Sequence, residues 1–174
     1  MESVTSRSLE DFLKKLGAKV ADEATFYLLG GSALCLLGSP RETLDVDYFV
    51  EEPAAKTETL ITELAAELHM DMESVPIAEF VPLPPDVNKR HRFVGRYGQV
   101  DVYIYDLYTI ALSKIARGFE SDLEDVVFLL KRGLIDLKIL EHYFEIVLPK
   151  ADSADILRWE FVAYFETLKK MLDK

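Results

Sequence analysis

Residues 28–50 read LLGGSALCLLGSPRETLDVDYFV, and two features of this stretch decide the fold. Tyr27-Leu28-Leu29 predicts a buried strand, Gly30-Gly31-Ser32 a turn, and Ala33–Leu37 the first turns of a helix. Further on, Leu44, Val46, Tyr48 and Val50 alternate with Asp45 and Asp47, which is the period of a strand. Aspartate is depleted in strands, so two aspartates leaving one face of the same strand call for a chemical reason. A helix start offers unpaired amides and the positive end of its dipole. A triphosphate held there needs divalent cations, and those need carboxylates on a neighbouring strand. Gly30, Gly31 and Ser32 are therefore candidate nucleotide-binding residues, and Asp45 and Asp47 candidate metal ligands. No Lys-Ser or Lys-Thr pair follows the glycines, which excludes a Walker-type ATPase.

Working outward, the run Gln99–Tyr105 (QVDVYIY) puts Val100, Val102 and Ile104 on one strand face and Asp101, Tyr103 and Tyr105 on the other. Asp101 is the candidate third acid, either accepting the proton of an attacking hydroxyl or helping to hold a metal. Tyr97-Gly98 is expected to turn this strand back onto another at His91–Val94. The remaining elements expected up to Tyr105 are helix Leu9–Asp22, strand Thr25–Leu29, helix Ser32–Leu37, strand Leu44–Val50 and helix Lys56–His69. Val75–Asn88 carries Pro76, Pro82, Pro84 and Pro85 and reads as an ordered loop bordering the site. From Asp106 the pattern is helical: Leu107–Ala116, Asp122–Lys131, Leu137–Leu148 and Ser153–Leu172, broken at Gly118, Gly133 and Pro149. The expected architecture is α+β, a mixed sheet with helices over residues 1–105, followed by a helical C-terminal half over 106–174 packed on that core.

Composition bounds the partners. Of 174 residues, 49% are hydrophobic, enough for one well-cored domain with an extension. The 31 acidic and 20 basic residues give a net charge of -11, which opposes non-specific binding of nucleic acid. The one dense basic cluster, Asn88–Arg92 with Arg96, reads as a solvated hairpin. Cys35, the only cysteine, excludes an internal disulfide and a cysteine-rich zinc site. The opening MESVTSRSLEDF lacks the apolar core of a signal peptide, and no apolar run approaches the roughly 20 residues of a membrane span. The expected location is cytoplasmic, without membrane association.

Gly31-Ser32, Asp45-Val46-Asp47 and the later Asp101 together resemble the nucleotidyltransferase superfamily of polymerase β-type fold. There a glycine turn precedes an acid-apolar-acid pair, and a third acid lies on a later strand. Arg41-Glu-Thr43, Leu112-Ser-Lys-Ile-Ala-Arg117 and Ser121-Asp-Leu-Glu-Asp125 are similar, more narrowly, to small prokaryotic members related to abortive-infection type E toxins. The similarity spans Tyr27–Asp136. It implies transfer of a nucleoside monophosphate from a nucleoside triphosphate to a hydroxyl of RNA, protein or a small molecule. Asp45, Asp47 and Asp101 would hold Mg2+ or Mn2+, and Lys114 and Arg117 would bind the triphosphate. It also implies a possible antitoxin or other protein partner, with the chain a monomer or small homo-oligomer. The alternative is a catalytically inactive nucleotide-binding or protein-interaction module that keeps the fold.

Overall fold

The computed structural model describes residues 2–51 and 55–174. They group into two compact units: residues 2–51, 55–75 and 91–105 in the first, and residues 76–90 and 106–174 in the second.

The first unit opens with α1 (Ser6–Lys19), whose start is fixed by a capping box: Thr5 Oγ1 accepts from the Ser8 amide and Ser8 Oγ from the Thr5 amide. One face of α1 buries Leu9, Phe12, Leu13 and Leu16, each contributing on the order of 1.5–3 kcal/mol by leaving water. At Gly17 a Cβ would overlap the Tyr97 carbonyl, so glycine there lets the helix meet the hairpin backbone. Then come β1 (Ala24–Leu29), α2 (Gly30–Leu36), β2 (Asp45–Val50), α3 (Ala55–Leu68) and β3 (Asp71–Ser74). After α4 (Ile77–Phe80) of the second unit, β4 (Arg92–Tyr97) and β5 (Val100–Ile104) complete the sheet.

The sheet order is β3-β2-β1-β5-β4. β1 runs antiparallel to β2 and parallel to β5, β2 runs parallel to β3, and β4 runs antiparallel to β5. The sheet is therefore mixed, as expected. One face carries Phe26, Leu28, Val46, Tyr48, Val50, Val100, Val102 and Ile104, all buried. Registered partners share a face, so Asp45, Asp47, Phe49, Tyr27, Asp101 and Tyr103 all lie on the other. Two details of the sheet depart from the sequence reading. The β4–β5 turn is Gly98-Gln99, one residue beyond Tyr97-Gly98, because Tyr97 pairs with Val100. β3 has no counterpart in that reading: its sequence Asp-Met-Glu-Ser lacks both β-branched residues and apolar alternation, and three of its four residues are exposed.

In the second unit, α5 (Leu107–Arg117), α6 (Glu120–Lys131), α7 (Leu137–Val147) and α8 (Arg158–Leu172) follow one another, with 3-10 turns at Val87–Lys89 and Leu148–Ala154. Phe144 packs its ring against Phe161 and Phe165 at 4.7 and 4.5 Å, with both partners buried. The proline-rich stretch joins this unit through Arg90, whose guanidinium makes a two-pronged pair with Asp106 at 3.0 Å and also donates to the Pro85 carbonyl and the Tyr143 hydroxyl. Burial opposes the Arg90 charge, but hydrogen bonding and attraction from Asp106 prevail and lift its pKa above the ordinary value. Asp106 in turn caps α5 by accepting from the Tyr108 and Thr109 amides. No helix among the described residues is long and apolar enough to cross a membrane.

Candidate metal and nucleotide site

β2 ends its pairing with β1 at Asp47 opposite Leu29, immediately before the glycine turn. On its other side β2 pairs Asp45 with Asp71 and Asp47 with Glu73. Carboxylate oxygens of Asp45, Asp47 and Glu73 thereby lie within 4.8 Å of one another, the first two residues half-buried and Glu73 exposed. Three like charges this close repel, and an all-oxygen donor set is the kind that hard divalent cations such as Mg2+ or Mn2+ accept. The residues therefore fit a metal.

Several groups position this triad. Thr43 Oγ1 lies 3.2 Å from both the carbonyl and Oδ1 of Asp45, and the Thr43 carbonyl accepts from the Val4 amide at 2.8 Å. Glu58 of α3 accepts from the Tyr48 hydroxyl of β2 and, at 3.4 Å, from the Ser74 hydroxyl of β3, bracing the two acid-bearing strands side by side. Gly30 has φ +57, and a Cβ there would overlap Asp47 Oδ2. Only glycine permits both that backbone and that carboxylate position. At Gly31 a Cβ would come within 2.8 Å of Thr43 Oγ1. Ser32 is fully buried and its hydroxyl donates to the Leu29 carbonyl at 2.9 Å, so the side chain holds the turn together.

Asp101 is not brought to the other acids. It lies on their face, but it pairs with Thr25, whereas Asp47 pairs with Leu29. The four residues from Thr25 to Leu29 amount to about 13 Å along the sheet at roughly 3.3 Å per residue. Asp101 instead receives Arg96 Nη1 at 3.1 Å. The expectation that its carboxylate converges with Asp45 and Asp47 is corrected: Glu73 occupies that place. The signal for Glu73 was an acid two positions before Val75 and a few residues beyond the third helix, legible only once β3 is recognised.

In the second unit, Lys114 is buried, and its ammonium lies 2.8 Å from Asp125 Oδ2 and 3.8 Å from Asp122 Oδ1. Arg117 Nε stands 3.2 Å from Asp122 Oδ2, close enough to attract but without the alignment of a hydrogen bond. Lys114, expected at the triphosphate, is thus buried in the helical unit, where α6 brings two buried aspartates onto it.

A mixed sheet with an acid-apolar-acid strand beside a glycine turn defines a protein of nucleotidyltransferase fold. An antigenic nucleotidyltransferase-like protein from Paracoccidioides brasiliensis is similar in structure, with a TM-score of 0.52 at 16% identity over 88% of this chain and 94% of that one, a likeness of fold alone. The chain belongs to the family described as "Nucleotidyltransferase of unknown function (DUF6036)", whose model matches residues 7–172. No curated protein matches it in sequence.

Proposed function

We propose that the protein is a metal-dependent nucleotidyltransferase that moves a nucleoside monophosphate from a nucleoside triphosphate to a hydroxyl acceptor and releases pyrophosphate. The observation that carries this reading is the convergence of Asp45, Asp47 and Glu73 within 4.8 Å beside the glycine turn. These three would hold Mg2+ or Mn2+, which when bound neutralises charge on the transferring phosphoryl group and lowers the pKa of an attacking hydroxyl. The chain's own contribution is positioning. Thr43 fixes the Asp45 carboxylate, Glu58 fixes the spacing of the two strands, and Gly30 and Gly31 let the Asp47 carboxylate and the Thr43 side chain sit directly against the start of α2. Little covalent work is asked of the protein. Ser32 would act through the turn that it closes. Asp101 would lie outside the metal site, and Lys114 and Arg117 would stabilise the helical unit before any nucleotide arrives.

The acceptor class, RNA, protein or small molecule, decides whether the activity is toxin-like with a restraining partner. The test is incubation with each labelled nucleoside triphosphate, Mg2+ and cell extract, followed by separation of the RNA, protein and small-molecule fractions. Label is expected in one fraction, dependent on the cation and lost in Asp47→Asn. Labelling equal in wild type and Asp47→Asn overturns the reading.

A further inference from the structure

At Asp45 one carboxylate oxygen is already engaged. Thr43 Oγ1 lies 3.2 Å from Asp45 Oδ1 and equally far from the Asp45 carbonyl. A hydroxyl has one proton to donate, and an ionised carboxylate draws it more strongly than a neutral carbonyl does. Oδ1 therefore accepts from Thr43, and Oδ2 is the oxygen left for a cation. The hydroxyl is also held where it is. Thr43 is buried, and its side chain packs so closely on the start of α2 that a Cβ on Gly31 would come within 2.8 Å of Oγ1 and 2.9 Å of the threonine Cβ. From the other side, the segment before α1 fastens residues 42–43. The Val4 amide donates to the Thr43 carbonyl at 2.8 Å, and the Ser3 hydroxyl to the Glu42 carboxylate at 3.1 Å. Val4 is itself buried, and its carbonyl accepts from the Cys35 thiol of α2 at 3.6 Å.

Selection between hard cations follows from the size of a site, the number of its oxygens and their freedom to move. Calcium takes roughly six to eight oxygens in a flexible shell, often with a carboxylate giving both of its own. Magnesium is smaller, demands near-octahedral geometry and is commonly held by only one or two carboxylates, with water and substrate phosphate filling the rest. A carboxylate limited to one oxygen and backed by close-packed chain suits the second pattern. Asp47 is confined in the same way, because its Oδ2 lies where a Cβ on Gly30 would be. We infer that Thr43 sets which cation the site accepts: by holding Oδ1 it restricts Asp45 to a single ligating oxygen, and so favours Mg2+ or Mn2+ over Ca2+. This rests on the reading of Asp45, Asp47 and Glu73 as a metal site and adds to it a residue that discriminates between metals.

The experiment is titration of the full chain with Mg2+, Mn2+ and Ca2+ separately, read as heat of binding and as shift in melting temperature. It compares the wild type with Thr43→Val, which keeps the shape and deletes the hydroxyl, and Thr43→Ser, which keeps the hydroxyl. Asp47→Asn is the control for cations held elsewhere on an acidic chain. Thr43→Val is expected to gain Ca2+ affinity relative to Mg2+ by about 10-fold, the scale of one hydrogen bond to a charged group. Thr43→Ser should keep the wild-type ratio. A hydroxyl that merely steadied the chain would leave that ratio alone, because a loosened strand end weakens both cations together. An unchanged ratio in Thr43→Val therefore overturns the inference and leaves the triad standing. A wild type whose cation response is no greater than that of Asp47→Asn overturns the triad reading, and the inference with it. Wild-type crystals grown with Mn2+ give a second measurement, independent of whether Thr43→Val folds. The ion is expected on one Asp45 oxygen with Thr43 still donating to the other, and an ion bound by both oxygens overturns the inference.

Discussion

Asp47 and Glu73 are direct neighbours across the parallel pairing of β2 and β3, two strands separated in the chain by the whole of α3. Their adjacency makes the metal site a product of sheet register. Magnesium or manganese with a nucleoside triphosphate is expected to raise the melting temperature of the wild type, since a ligand that binds the folded state stabilises it by mass action. Asp47→Asn and Glu73→Gln should each remove most of that ligand-induced shift, and Asp101→Asn should retain it. A shift that survives Glu73→Gln and vanishes in Asp101→Asn would return the third position to Asp101.

Gly30→Ala tests the turn. The substitution forces an L-residue to φ +57 and drives its Cβ into Asp47 Oδ2. The backbone cost alone is about 1–2 kcal/mol, measurable as a lower urea midpoint, and the displaced carboxylate should also reduce the cation-dependent melting shift. A variant with wild-type stability and ligand response would show that the turn relaxes freely.

Lys114 should behave as a core residue. Removing its ammonium leaves Asp125 and Asp122 as buried carboxylates, and breaking a buried pair from one side typically costs about 3–5 kcal/mol. Lys114→Ala is therefore expected to lower the urea midpoint sharply, and Lys114→Met combined with Asp125→Leu to recover part of the loss. Near-native stability of Lys114→Ala would place the lysine outside the network.

Tyrosine ionisation gives a pH signature. Burial first, and hydrogen bonding to Glu51 second, push the Tyr27 phenol well above its ordinary value near 10; burial and Glu58 do the same for Tyr48. A pKa raised on folding gives stability that is fully present below the unfolded value and lost as pH climbs through the folded one. Stability should therefore fall progressively above about pH 10. Tyr27→Phe should flatten that alkaline decline, as read from denaturation midpoints between neutral and strongly alkaline pH. An unchanged slope in the variant would mean that another group governs it.

The glycines, the Asp45/Asp47 strand and the helices after Asp106 were legible because each rests on local pattern: turn residues, a period of two, or a period near 3.6; the glycines prove to open α2 itself, and the last helix starts at Arg158, not Ser153, after a 3-10 segment. Asp101 was legible as a strand acid on the correct face. Its distance from Asp47 was not, because the end of the sheet on which a side chain falls depends on whether β5 runs parallel or antiparallel to β1, and an isolated strand sequence is silent on that. Glu73 was hidden for a related reason. β3 is held in place by pairing to β2 and by Glu58, not by its own propensity, and so presents no apolar signal. The helix carrying Asp122 and Asp125 was legible too, but not that α5 and α6 pack so as to bury Lys114 with both aspartates, since that depends on how two helices meet in three dimensions.

β3 lies at one margin of the sheet, where a row of unpaired backbone groups would otherwise invite a strand from another molecule. It is four residues long and carries Asp71 and Glu73, both exposed. Shortness and negative charge are the means by which natural sheets deter such association. The carboxylate proposed to complete the metal site therefore also helps to keep the molecule from polymerising along its open side. A neutral residue at position 73 would weaken chemistry and solubility together, so any assay of Glu73 variants must be read beside their state of aggregation.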